Sequence, residues 1–432
     1  MNYVSTRGHA PALGLGAALA AGLAADGGLY VPQTLPSLRA EDFDGCDDLA
    51  AVAARLLRPF FDGDPLAHEL DAICRDALDV PSPLREIAPD TSLLELFHGP
   101  TAAFKDFGAR FLAACLARLR TPGAPTLNVL VATSGDTGAA VAAAFHRRAG
   151  FRVVILYPDG RVSPRQAHQL GCFGDNVIAL RVAGSFDDCQ ALVKRALADA
   201  ELKAVAPLTS ANSISLGRLL PQMSYYAHAA LAHRRRYGRP LNFVIPTGNL
   251  GNALGCILAR TLGLPIGDIA LATNANRVLP EFFAGADYAP RASVATLANA
   301  MDVGDPSNFE RLRWLYPDAV ALRAAFRAES VDDAAIRATL RSSHERYGTW
   351  VCPHTATALR VLEHLRADGD ARDYAVVATA HPAKFDEVIE PLVGTAIEVP
   401  PALAELLRRP SHAEPLAADY AALRDRLIAS GI

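Results

Sequence analysis

A lysine stands between two phenylalanines in His98-Gly99-Pro100-Thr101-Ala102-Ala103-Phe104-Lys105-Asp106-Phe107-Gly108. At the start of an apolar helix, desolvation and the positive end of the helix dipole both disfavour an ammonium and lower its pKa. A lysine amine tuned in this way can form a Schiff base with a carbonyl. A surface lysine whose stem packs over apolar neighbours fits the position equally well. A second segment, Thr247-Gly248-Asn249-Leu250-Gly251-Asn252, has glycines that admit close backbone approach and amides at a helix start, the donor set a phosphate monoester requires. Such a turn also serves simple packing, and it is neither the dinucleotide fingerprint nor a P-loop. A third, Thr133-Ser134-Gly135-Asp136-Thr137-Gly138, gathers hydroxyls and amides that suit a carboxylate; its plainer reading is a helix N-cap made by Asp136 or Thr137.

These turns need elements to hold them. Residues 128–132 read as a buried strand, 139–148 as a helix and 152–157 as the next strand, a βαβ unit. The pattern recurs with a strand at 242–246, a helix at 253–262 and a strand at 269–273. A short strand at 91–97 leads to an apolar helix from near Phe104, and a late strand at 374–378 ends in Thr379-Ala380-His381-Pro382. Parallel sheets covered by helices are expected, with ligands outside the carboxyl ends of the strands. Residues 1–89 are helical in character, with acidic turns and few strand-like runs. The expected units are 1–90, mainly helical; 91–235, a smaller α/β unit carrying Lys105 and the carboxylate turn; and 236–432, a larger α/β unit carrying the phosphate cradle.

Composition agrees with a folded chain of two or three domains: 432 residues, 51% hydrophobic and 20% charged. Its 42 Lys+Arg against 46 Asp+Glu give a net charge of −4, which offers no electrostatic footprint for nucleic acid. The run His233-Arg234-Arg235-Arg236 reads as a solvated helix end. Seven cysteines without a C-x-x-C pair read as reduced core thiols of a cytoplasmic protein. No His/Asp/Glu group has metal-ligand spacing, and no segment has the length and apolarity of a membrane span. Residues 10–25 lack charge, yet Gly14, Gly16 and Gly22 make an export signal a poor reading.

Four segments closely resemble the signatures of the threonine synthase family: His98-Gly99-Pro100-Thr101-x-x-Phe104-Lys105-Asp106, 132–138, Pro246-Thr247-Gly248-Asn249-x-Gly251-Asn252, and 379–385. Tyr3-x-Ser5-Thr6-Arg7-Gly8, residues 22–32 and Met301-Asp302-Val303-Gly304-x-Pro306-Ser307-Asn308 extend the resemblance, to the bacterial and fungal branch, over nearly the whole chain. Two positions depart from the pattern. Asp305 replaces an expected Asn, and Cys352 stands where an acidic residue usually precedes Pro353-His354; both bear on packing or closure rather than on the central chemistry.

The resemblance implies a fold-type II pyridoxal-phosphate enzyme, with two open, twisted, mostly parallel sheets flanked by helices plus an N-terminal helical domain. It implies that Lys105 carries pyridoxal 5'-phosphate as a Schiff base and acts as the catalytic base. Gly248, Asn249, Leu250, Gly251 and Asn252 would hold the cofactor's phosphate, Thr379 would meet the pyridine nitrogen, and Asp136 would face the phenolic oxygen. The implied substrate is O-phosphohomoserine, its carboxylate on Ser134, Gly135 and Thr137 and its phosphate on Asn212, Ser213, Ser215 and Arg218. In that last group an arginine fork follows amide and hydroxyl donors; without the neighbouring motifs it would read as an N-cap and a surface arginine. His98, His381 and Lys384 receive no chemical role. A serine or threonine dehydratase would need Lys105 and the cradle but not Arg218, and a binding paralogue without catalysis would have no need of Lys105. Relatives of this branch suggest a monomer.

Overall fold

The structure, a computed structural model, describes residues 1–429. Two sheets organise it. The larger has six strands in the order Arg327–Ser330, Ile266–Thr273, Leu241–Pro246, Tyr374–Ala378, Thr91–Glu95 and Leu84–Ala88; only the last pairing is antiparallel. The smaller has five parallel strands, Glu414–Ala417, Val177–Ala183, Phe151–Pro158, Leu127–Ala132 and Leu208–Ser210. Strands such as Tyr374–Ala378 and Leu241–Pro246 are buried at every position, as expected when helices cover both faces of a parallel sheet.

The sheets interleave along the chain. Thr91–Glu95 pairs in register with Tyr374–Ala378, and Glu414–Ala417 runs beside Val177–Ala183, so sheet membership cuts across divisions at 90 and 235. Parallel partners lie far apart in sequence and leave no local signal. The helix expected at 139–148 runs from Asp136 to Phe145: Gly135, at φ +133°, turns the chain straight into it, and Arg147 at φ +58° follows its end. The N-terminal unit has a two-stranded ribbon, Tyr3–Ser5 with Tyr30–Pro32, and the helices Leu15–Ala21, Leu49–Leu57 and Leu70–Ala77. Buried Arg311 ties this unit to the rest, donating to Tyr30 O at 3.0 and 3.1 Å, to Ile214 O at 2.7 Å and to Asn308 Oδ1 at 2.8 Å.

All seven cysteines are buried and free. Arg234, Arg235 and Arg236 are exposed in the last turn of Gln222–Tyr237, whereas His233 is buried 3.0 Å from Asp373. Among the described residues no helix is long and apolar enough to cross a membrane, and no group of three His, Cys, Asp or Glu could hold a metal.

Candidate active site

Loops at the carboxyl ends of strands from both sheets surround a cleft. Lys105, the first residue of the helix Lys105–Leu119, lines it. The turn before it is tightly held: Phe104 N–H donates to Thr379 O at 2.8 Å and His381 N–H to Ala102 O at 3.0 Å. Ala102 takes φ +55°, a conformation costly for a residue with a Cβ and common where a site fixes the backbone. Asp106 is buried and accepts from Thr101 N–H at 2.9 Å and from Thr101 Oγ1 at 2.7 Å, which closes the turn on itself.

Burial lowers the Lys105 ammonium to about 8; Asp136 opposes that shift, and the positive charges of Arg218 and Lys384 reinforce it. The sign is set by solvation: raising the pH through 8 frees a neutral amine, whereas an ordinary lysine needs about 10.5. Lys105 in the cofactor-free chain should therefore react with an amine-selective reagent along a titration centred near pH 8, with about one molecule in ten neutral at pH 7. The chain's four lysines, Lys105, Lys194, Lys203 and Lys384, make mapping the label by mass spectrometry direct; a midpoint above 10 would contradict the assignment.

The 247–252 turn leaves strand Leu241–Pro246 and enters helix Gly251–Thr261 through Leu250 at φ +61°. Asn252 Oδ1 accepts from Tyr225 Oη at 2.6 Å and Tyr226 Oη at 2.9 Å, which fixes its amide, and its buried Nδ2 has no partner. An unpaired buried donor at a helix start among glycine amides suits an anion. Asn249 Oδ1 accepts from Ser307 N–H at 2.5 Å, and its Nδ2 donates to Ser213 Oγ at 2.7 Å. Gly248 lies against the backbone of Met301, where an added Cβ would stand 2.7 Å from Met301 Cα. Gly248→Ala should push the 300–303 segment away from this turn, costing about 1–3 kcal/mol of local packing; an unchanged melting temperature would contradict this packing.

In the 133–138 turn, Thr133 Oγ1 accepts the N–H groups of Gly135 and Gly138, each at 2.9 Å, so two amides expected for a carboxylate are used internally. Ser134, Asp136 and Thr137 line the cleft; Gly135 lies behind, where a Cβ would meet the Gln166 side chain at 2.6 Å. Asp136 is buried, and nearby Lys384 and Lys105 hold its carboxyl far below the usual carboxylate range against the effect of burial.

Arg218 is buried and lines the cleft with Asn212 and Ser213. Its Nη1 donates to Ala211 O at 2.5 Å, and its Nε has no partner. Burial lowers its pKa to about 10, and the attraction of Asp106 offsets only part of that. A buried guanidinium with a free donor is costly unless an anion arrives. Gly108 makes room for it, since a Cβ there would stand 2.8 Å from Arg218 O and 3.0 Å from its Nε. Ser215 lies outside the cleft lining, fully buried, with an unpartnered Oγ.

Two residues without an assigned role belong to this site. His354 lines the cleft and accepts the Ala300 N–H on Nε2 at 3.1 Å; burial lowers its pKa to about 4, so it is neutral at pH 7. Lys384 pairs with Asp136 at 2.8 Å. Both sit inside recognisable segments, the only signal available. His381 Nδ1 accepts from Ala383 N–H at 3.2 Å, and His98 pairs with Glu95 at 2.8 Å. Asp305 lines the cleft and accepts from Tyr288 Oη at 3.0 Å. Cys352 occupies the cap position of helix Pro353–Ala367 without capping it, and its Sγ lies 3.3 Å from Thr355 Oγ1.

The family model described as pyridoxal-phosphate dependent enzyme matches residues 91–382, and models of the threonine synthase N terminus and C-terminal region match 2–78 and 355–427. The threonine synthase of Escherichia coli (strain K12) is 38% identical over 427 residues, 98% of each chain. The crystal structure of threonine synthase from Escherichia coli aligns over 100% of both chains with a TM-score of 0.93 and 37% identity. The structure of pyridoxal-phosphate-bound threonine synthase from Brucella melitensis aligns over 99% of both, with a TM-score of 0.90 and 34% identity.

Proposed function

This chain belongs to the threonine synthase family of pyridoxal-phosphate-dependent enzymes, and from that premise we propose that it converts O-phospho-L-homoserine and water to L-threonine and phosphate. The observation that carries the substrate is a pair of anion-ready donor sets in one cleft with Lys105. One centres on the unpartnered Asn252 Nδ2, the other on the unpartnered Arg218 Nε, and the Asn249–Ser213 hydrogen bond joins their loops. A cofactor phosphate requires one set; the second fits a substrate that brings its own phosphate.

The residues present fit pyridoxal phosphate: a depressed-pKa lysine for its carbonyl, the 248–252 donors for its phosphate, Thr379 for its ring nitrogen and Asp136 for its phenolic oxygen. When bound, it supplies the electron sink that makes the substrate's α and β protons removable. Lys105 Nζ would hold the cofactor, and as a free amine beside the substrate it would remove the α proton and then move the proton at the β carbon. Arg218, Asn212 and Ser213 hold the substrate phosphate as it leaves the γ carbon, and Ser134 and Thr137 orient the carboxylate. Water then adds at the β carbon. A reaction run in ¹⁸O-water should place the label in threonine and leave the phosphate unlabelled, because the bridging oxygen departs with phosphorus. Labelled phosphate beside homoserine would mean hydrolysis and would overturn the proposal.

The seven buried free thiols support a reducing, cytoplasmic location. We read the working unit as a monomer, a reading that light scattering of the loaded protein would test.

A further inference from the structure

We propose that Lys384 is a positioning residue that acts through Asp136, keeping this carboxylate ionised and fixed beside Lys105 so that Lys105 is not drawn into supplying the counter-charge. The inference takes Lys105 as the reactive amine, as above, but does not depend on which substrate is turned over.

The geometry is closed on every side. Lys384 is fully buried; its Nζ contacts Asp136 Oδ1 at 2.8 Å and donates to Thr101 O at 2.8 Å. Asp136 Oδ1 also accepts from Gln166 Nε2 at 3.1 Å, and Gln166 Oε1 accepts from Asn299 Nδ2 at 3.0 Å. The turn that carries Lys384 cannot swing freely: Ser163 Oγ donates to Lys384 O at 3.3 Å, Arg165 Nη1 donates to Ala383 O at 2.5 Å, and Arg165 pairs with Asp386 at 3.0 Å. Asp136 and Gln166 follow strands of the smaller sheet, while Thr101 and Lys384 follow strands of the larger, so the pair joins the two halves of the cleft.

A buried carboxylate needs a positive partner. Two lysines are near Asp136, and the one that pairs with it is the one with no carbonyl chemistry to perform. Lys105 is faced by Asp136, Arg218 and Lys384. Asp136 is faced by Lys384, Lys105 and His354, the last neutral at pH 7. Without Lys384, Lys105 is the remaining lysine that faces Asp136, and a Lys105 ammonium held by that carboxylate is neither a nucleophile nor a base.

The test is the pH dependence of Lys105 labelling in the full-length chain freed of cofactor, mapped by mass spectrometry, with thermal unfolding followed in parallel. Lys384→Met should raise the midpoint by about one pH unit or more. Asp136→Asn should lower it, and the double variant should return it to within about half a unit of the wild type. A purely structural link between the halves would lower thermal stability in both single variants without opposite shifts in the midpoint. An unmoved midpoint in folded Lys384→Met, or shifts of the same sign in both single variants, would overturn the proposal. If Lys384→Met does not fold, Lys384→Gln, which can still donate to Thr101 O, takes its place: a raised midpoint supports the proposal, and an unmoved one overturns it. Failure of the substrate assignment would appear in product analysis and leave these midpoints untouched.

Discussion

Lys105→Ala should lower turnover by on the order of 10⁴-fold or more, because in the proposed mechanism one side chain holds the cofactor carbonyl and then moves both protons. No other lysine can take its place. Lys384 is committed to Asp136 and Thr101 O at 2.8 Å each, Lys203 Nζ donates to Leu197 O, and Lys194 is an exposed residue at the edge of the cleft. The 248–252 cradle is intact in this variant, so the cofactor should still bind, reversibly and more weakly. Borohydride should fix the cofactor to the Lys105 peptide in the wild type and to no peptide in the variant. Residual turnover within tenfold of wild type would contradict the assignment of Lys105.

Arg218→Ala should separate substrate from cofactor. Loss of a buried, charge-assisted donor to a leaving phosphate costs about 2.7–4 kcal/mol, or about 10²–10³ in kcat/KM. Cofactor affinity should change by no more than about threefold, because the proposed holders of its phosphate are the 248–252 donors, not Arg218. Arg218→Lys should recover only part of the loss: an ammonium keeps the charge but lacks the planar fork, and the space that Gly108 leaves is shaped to Arg218. Equal damage to cofactor binding and turnover, or no damage to either, would contradict a separate substrate-phosphate site.

The parts of this site legible in the sequence are those carried by local chemistry. Glycines 248 and 251 and the Ser134–Thr137 turn announce themselves because a strand, a tight turn and a helix start follow one another within a dozen residues, and Lys105 because it opens an apolar helix between two phenylalanines. Arg218 was readable only beside those motifs, since a single arginine in an apolar helix has no local mark. Lys384 and His354 lie in familiar segments, but what they do depends on Asp136 and Ala300, hundreds or tens of residues away, and has no local mark. Sheet membership was hidden for the same reason. Nothing near residues 91–95 or 414–417 states that the first joins the larger sheet and the second the smaller. The two departures are modest in structural terms: Asp305 accepts a tyrosine hydroxyl at the cleft wall, and Cys352 leaves uncapped a helix that Pro353 already starts.

The central proposal is that a second phosphate-holding donor set beside Lys105 selects phosphohomoserine, which this chain converts to threonine by water addition and not to 2-oxobutanoate by simple elimination. Its most direct test is to supply O-phospho-L-homoserine to the loaded enzyme and quantify phosphate, threonine and 2-oxobutanoate together. The account predicts phosphate and threonine in equal amounts with at most traces of 2-oxobutanoate; phosphate release matched by 2-oxobutanoate, or no phosphate release at all, would contradict it.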